Sequence, residues 1–234
     1  VALTQGDQAG WDFVSDDGDP SDSHGHGTHV AGTVAQNTGN GTGVTGVAHG
    51  AEVMAVRVLD SNGSGYASDV ASGILWAADH GADVINLSLG SSVGSQAEQD
   101  AVAYATDMGV LVVAATGNEY QANGVSYPAA YPEVLAVVAS NGIDEVVDYT
   151  NRGPELDLVA PGGDFNRDDD GDGMVDGILQ ETVVNGEWDY YLFQGTSMAT
   201  PHVAGAAAVL MGMGASAEEA REILELTAGD LYQE

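Results

Sequence analysis

"DVINLSLGSSVGSQAEQDAVAYATDMGVLVVAAT", residues 83–116, sets the architecture. Its ends, "DVINLSL" (83–89) and "VLVVAAT" (110–116), are short runs rich in β-branched residues, the pattern of strands buried on both faces. Between them "SQAEQDAVAYATDMG" (95–109) repeats apolar residues at three- and four-residue spacing and stops at Gly109, a helix signature. Strand, helix and strand in succession imply a parallel sheet. The same alternation extends outward. "EVMAVRVL" (52–59) and the helix-like "YASDVASGILWAADHG" (66–81) precede it, and "VLAVVAS" (134–140) and "LDLVAP" (156–161) follow. Further helices are expected from about His26 to Gln36 and from about Ser197 to Met211. Pro201 falls in the first turn of the latter, where its missing N–H breaks no helical bond. "SAEEAREILEL" (216–226) reads as a surface helix capped by its serine. The expectation is an α/β protein with a mainly parallel sheet, helices on both faces, and a cleft at the carboxyl ends of the strands.

At 234 residues and 44% apolar composition the chain can bury a substantial core. It has no apolar run long enough to span a membrane and opens on no signal-peptide-like leader. Thirty-six acidic residues stand against four arginines and no lysine, a formal net charge of −32, which argues against nucleic acid or an anionic membrane as partner. Most of those acids read as a solubilising surface, and one cluster reads as a cation site. With no cysteine, disulfides and thiolate metal sites are excluded. The Gly- and Asp-rich stretch at 162–173 is the main break in composition and opens an acidic loop expected over 162–196 within the single domain 1–234.

Three segments carry chemistry. "HGHGTHVAG" (24–32) puts three histidines within six positions, with His26 at a helix start. Ser197 lies in "GTSMATPHVAG" (195–205), also at a Gly-flanked helix start, where the positive end of the helix favours developing negative charge. Asn118 in "AATGNE" (114–119) follows a strand, where its amide could donate to an oxyanion. The residues themselves support a Ser–His pair and go no further, since a single serine before a helix is more often a cap.

In this order, "HGTHVAGT", "AATGNE" and "GTSMATPHVAG" resemble the histidine, oxyanion-asparagine and serine motifs of the subtilisin-like (subtilase) serine proteases. "DVINLSLGS" and "YPAAYPEVLAVVA" resemble that family's framework, and the likeness runs from "GWDFV" (10–14) to about residue 227. The resemblance implies a three-layer subtilisin-like fold and a serine endopeptidase. His26 would be the general base, Ser197 the nucleophile and Asn118 the oxyanion donor. His29 becomes a packing residue, and His24, His49, His80 and His202 carry no role. The family also uses an aspartate at the end of its first core strand, in a motif this chain lacks. None of Asp7, Asp12, Asp16, Asp17, Asp19 or Asp22 follows an apolar run in the required manner. The expectation is that this strand precedes residue 1 and that the chain is incomplete at both ends. A separately docked N-terminal segment or an impaired, peptide-binding remnant are the alternatives.

The resemblance further places two peptide-binding edges at Gly63, Ser64, Gly65 and at Ser88, Leu89, Gly90. A specificity pocket would be walled by Ala115, Thr116, Gly117 and Ser126, with Glu119 at its mouth. It implies a polypeptide substrate, a propeptide and an extracellular, secreted setting. In "DDDGDGMVDG" (168–177), Asp168, Asp170 and Asp172 followed by Gly173 match the start of a calcium loop. The Met174 carbonyl and Asp176 would follow as ligands, although Leu179 stands where an EF-hand carries glutamate. A structural Ca²⁺ is therefore expected.

Overall fold

A computed structural model describes residues 1–6, 9–122 and 124–230. Its centre is a four-stranded parallel sheet in the order β5 (Val84–Leu87), β6 (Leu111–Ala115), β7 (Leu135–Ser140) and β8 (Leu158–Pro161). These strands are apolar throughout because helices cover both faces. Val112, Ala114 and Ala136 point into a core shared with α2 (Ala67–Asp79) and α3 (Gln96–Asp107), through Ile74 and Val102. Their neighbours Leu111, Val113, Leu135 and Val137 point into a second core with α4 (Thr196–Gly212) and α5 (Ala217–Thr227), through Ala199, Val203 and Ala220. Alternate residues of one strand thus feed opposite cores, as the period-two pleat requires. Helix α1 (His26–Ala35) packs on α4.

The predicted strand at 52–59 is divided. β3 (Glu52–Val53) pairs in parallel with β1 (Ala2–Leu3), while β4 (Ala55–Arg57) pairs in parallel with β2 (Gly10–Asp12). Met54 lies where the chain changes partner. Among the described residues, neither β4 nor β5 has a strand on its second edge. Both nonetheless contribute to the first core, through Val56 on β4 and through Ile85 and Leu87 on β5.

The acidic loop expected over 162–196 needs correction. Its second half is an antiparallel hairpin, β9 (Ile178–Val184) and β10 (Glu187–Phe193), so the irregular part ends at about residue 177. The turn is Asn185–Gly186, with φ of 53° and 82°, the positive pair that a two-residue hairpin turn demands. Inward residues of β9 rest on α1, and β10 leads directly into α4.

Candidate functional site

The carboxyl ends of β5 and β6 and the start of α4 bring Ser88, Asn118 and Ser197 together, and α1, which begins at His26, packs on α4. Both helices begin on glycine. Gly25 (φ 96°) precedes His26 and Gly195 (φ 142°) precedes Thr196, and neither helix has a side-chain cap from that position. The Thr196 and Ser197 N–H groups of α4 are therefore open to other acceptors, while Met198 N bonds the Gly195 carbonyl.

Thr196 N donates to Asn118 Oδ1 at 2.9 Å and Thr196 Oγ1 donates to the same oxygen at 3.0 Å, while Thr196 Oγ1 accepts from Gly117 N at 3.3 Å. Two donors on the oxygen settle which way the amide faces, leaving Nδ2 as a free donor. A Cβ built on Gly195 would lie 3.5 Å from Asn118 Nδ2 and 3.7 Å from Ser197 N, with Asn118 Oδ1, already bonded to Thr196, at 3.6 Å. Glycine at 195 thus keeps empty a point flanked by two N–H groups.

Ser197 is tied to the end of β5. Its Oγ donates to the Ser88 carbonyl at 3.3 Å and its carbonyl accepts from Ser88 Oγ at 2.8 Å. Among the described residues no hydrogen bond joins Ser197 to the His26 ring. Such contacts are often loose in a ligand-free protein and tighten on substrate binding. Burial lowers the His26 pKa to about 4, with the nearby His24 and His29 adding to the shift and Asp22 opposing it. At neutral pH the imidazole is therefore uncharged, the form a base requires.

The acids near the N-terminus are committed elsewhere. Asp12 is 1% exposed, with Arg57 Nη1 at 2.7 Å from Oδ2 and Val14 N and Ser15 N donating to Oδ1. Asp22 accepts from His24 N, Gly25 N, Thr28 N and Thr28 Oγ1, which anchors the first turn of α1. Asp17 N–H and carbonyl pair with those of Asp12, and Asp19 accepts from Ser21. Asp16 lies in the same turn with φ 57°, and Asp7 falls outside the described residues. None of the described acids bonds the His26 ring.

The other histidines are structural. His29 is fully buried, with Nε2 2.9 Å from the Ile178 carbonyl and its ring stacked on Phe193. His80 stacks on Trp76, and His202 Nδ1 meets the Met198 carbonyl. His24 and His49 are exposed loop residues.

Gly63, Ser64 and Gly65 form an exposed loop held by Asp60, which accepts from Ser64 N, while Gly90 is exposed beside partly buried Leu89. A depression of about 210 Å³ lies among Gly90, Ser91, Glu119, Val125, Ser126 and Asn151. Of the expected pocket wall, Ser126 and the mouth residue Glu119 line it. Ala115 and Thr116 are buried behind. Gly117 (φ 101°) leaves room for Asn151, Ser126 and Glu119, all of which a Cβ there would strike. Asn151 is the residue that sequence reading missed: its Oδ1 accepts from Glu119 N and Gln121 N, and its Nδ2 donates to Glu119 Oε2 at 2.5 Å. It sits 32 residues from Glu119 with no local motif to mark it.

In the acidic loop, carboxylate oxygens of Asp168, Asp170 and Asp172 lie within 4.8 Å of one another, all exposed. Hard oxygen donors at that spacing fit a calcium ion. Asp176 turns away, its Oδ2 accepting from Asp169 N at 2.8 Å, and Met174 N donates to Asp172 Oδ1.

A model of the Subtilase family matches residues 3–234. The chain is 44% identical over 222 residues to the thermophilic serine proteinase of Bacillus sp. (strain AK1), covering 94% of this chain and 50% of that protein. It is 43% identical over 219 residues to thermitase of Thermoactinomyces vulgaris, covering 94% and 72% respectively. It therefore spans half the length of the first and under three quarters of the second. Among solved structures, a cold adapted subtilisin-like serine proteinase superposes with a TM-score of 0.79 at 34% identity, covering 94% of this chain and 74% of that one. Sphericase does so with 0.78 at 34%, covering 89% and 70%. The layered α/β arrangement is that of subtilisin-like proteins, and the chain belongs to the Subtilase family.

Proposed function

We propose that the chain is the core of a secreted serine endopeptidase that cleaves polypeptides through an acyl-enzyme on Ser197. One observation carries this reading: the empty point beside Gly195, with Asn118 Nδ2 3.5 Å and Ser197 N 3.7 Å from it. A carbonyl oxygen that settles from that point toward the two nitrogens would collect both donors as it gains negative charge, the requirement for acyl transfer. Ser197 Oγ would leave the Ser88 carbonyl and attack the peptide carbon. The neutral His26 ring would take its proton and return it to the leaving amine, and water would repeat the cycle on the acyl group. An extended peptide would lie between Gly63–Gly65 and Ser88–Gly90, bonded through backbone groups. The residue before the cut would enter the depression bounded by Ser126 and Asn151. A calcium ion on Asp168, Asp170 and Asp172 would neutralise three neighbouring carboxylates.

The His26 ring still needs a carboxylate to fix its tautomer and stabilise its charged form. The unpaired second edges of β4 and β5 support a strand laid between them, joining the two sheets and supplying that acid from upstream of Val1. The lack of any carboxylate on the ring among the described residues favours a second reading, a peptide-binding chain of impaired turnover. A fluorophosphonate probe separates the two. Labelling of Ser197 that is lost in both Ser197→Ala and His26→Ala supports the hydrolase, faster labelling in a chain extended upstream supports the strand, and a folded extended chain that takes no label sinks the hydrolase.

A further inference from the structure

We propose that the β9–β10 hairpin sets the position of His26 relative to Ser197, with Thr182 as the positioning residue. The proposal rests on His26 acting as the base and adds what holds that base in place. Thr182 is fully buried, and its Oγ1 donates to the carbonyl of Gly25, the residue before His26. Gly25 has a left-handed backbone, and a Cβ there would run into the Val183 carbonyl, so the turn that launches His26 lies directly on β9. One helical turn later His29 Nε2 meets the Ile178 carbonyl at 2.9 Å, and its ring stacks on Phe193 at 4.4 Å with the planes 2° apart. Gly32 follows, where the side chain of Gln180 fills the space a Cβ would need. Three inward residues of one strand therefore touch α1 along its length.

The other strand of the hairpin ends at Phe193, four residues before Ser197. Between them Gly195 N donates to the Gly162 carbonyl at 2.9 Å, which fixes the exit. One continuous element thus grips the helix of the base and carries the nucleophile. Substitution of Thr182 probes this cleanly. The Gly25 carbonyl also accepts from His29 N at 3.1 Å, so removing the hydroxyl leaves no buried carbonyl unpaired. Thr182→Val keeps the shape, and Thr182→Ser keeps the donor.

The test follows the His26 ring by NMR titration in the 234-residue chain and its variants. Asp22, His24 and His29, the titratable groups acting on that ring, are unchanged in every variant. In Thr182→Val the His26 midpoint should rise by about one unit or more as the loosened ring gains water, and Thr182→Ser should stay near the parent. Fluorophosphonate labelling of Ser197 should slow about tenfold in the valine variant and recover to within about twofold in the serine variant. Val102→Ala, on the buried face of α3, serves as a control that lowers the melting temperature and moves neither reading. A valine variant that melts earlier but leaves the His26 midpoint unmoved overturns the proposal, as does a serine variant that restores nothing. If no variant takes label, the upstream-extended chain decides the hydrolase reading, while the His26 midpoint still decides the role of the hairpin.

Discussion

Ser197 and His26 each follow a helix-starting glycine, yet what lies beneath them differs. Under Ser197 are strands of four to six residues, β5 to β7, with β6 and β7 buried along their whole length, and a helix whose inner face sits in the second core. Under His26 lie a two-stranded hairpin and, on the N-terminal side, strands of two or three residues, and its polar supports are Thr182 on Gly25, Asp22 on the first turn, and Asp12 on Arg57. One side of the cleft is held by close-packed apolar area, which tolerates the loss of a single polar contact. The other is held by individual hydrogen bonds and one ion pair, each of which matters by itself.

The largest expected effect follows from that contrast. Burial raises the Asp12 pKa, but the Ser15 and Val14 N–H groups and the Arg57 charge outweigh it and hold the carboxyl below its ordinary range. Arg57→Ala would strand this buried carboxylate and should cost about 3–5 kcal/mol by chemical denaturation. Arg57 Nη2 also reaches Ser23 Oγ at 3.2 Å, so the loop leading to His26 should loosen with it. A loss well under this range would show that the N-terminal side is better supported than its polar contacts suggest.

On the sheet side, Asn118→Ala should leave the fold almost intact and turnover of a peptide substrate badly reduced. Removing one oxyanion donor lowers kcat by about 10²–10³, a figure known from a member of this same family. Stability should fall by about 1 kcal/mol for the bonds lost to Thr196. Gly195→Ala should act in the same direction, because its methyl group would occupy the point flanked by the two donors. Unchanged turnover in Asn118→Ala would remove the oxyanion assignment.

Acid should act on both sides, through His26 and His29 on α1 and His202 on α4. Burial depresses the pKa values of His26, His29 and His202, with His26 at about 4. Each favours the neutral form in the folded chain, so its stabilising effect is complete above the unfolded value near 6.5 and is lost as pH falls toward the folded value. The melting temperature should decline from about pH 6.5 to about pH 4, measured at high salt so that relief of the excess negative charge does not mask it. His26→Asn should flatten part of that decline. A carboxylate newly placed against the ring would raise its folded pKa and shrink the effect, so the same curve reports on the proposed upstream strand.

Much of this was readable in advance, and unevenly so. Val112, Val113 and Val137 sit in continuous apolar runs with helical stretches between, and that pattern determines a parallel sheet covered on both faces. The histidine, asparagine and serine motifs are local in sequence and stood out for that reason. Asn151 did not, because its value lies in bonds to Glu119 and Gln121 that only the fold creates. The β9–β10 hairpin is a different case. "ILQETVVNGEWDYYLF" alternates around Asn185–Gly186 and carries its own turn signal, but the acidic composition before and within it masks that signal. The division of residues 52–57 between two partners was not encoded locally at all, since it depends on where β1 and β2 lie.

The smallest effect sharpens the comparison from the helix ends. Helix α5 closes its own N-terminus: Ser216 Oγ accepts from Glu219 N at 3.2 Å, and Glu219 Oε2 accepts from Ser216 N at 2.8 Å. Helix α4 begins on glycine with no such side chain, whereas the first turn of α1 is held from outside by Asp22, so it is α4 that gives up a cap and leaves the Ser197 N–H where charge would develop. Ser216→Ala should therefore lower stability by about 1 kcal/mol. Labelling of Ser197 should be untouched, because the second core separates α5 from the cleft. If the capped and uncapped ends were interchangeable, a cap residue in place of Gly195 would be equally harmless to labelling. The donors beside that position, Asn118 Nδ2 and Ser197 N, argue that Gly195→Ser would abolish labelling instead, whether or not the helix itself gained stability.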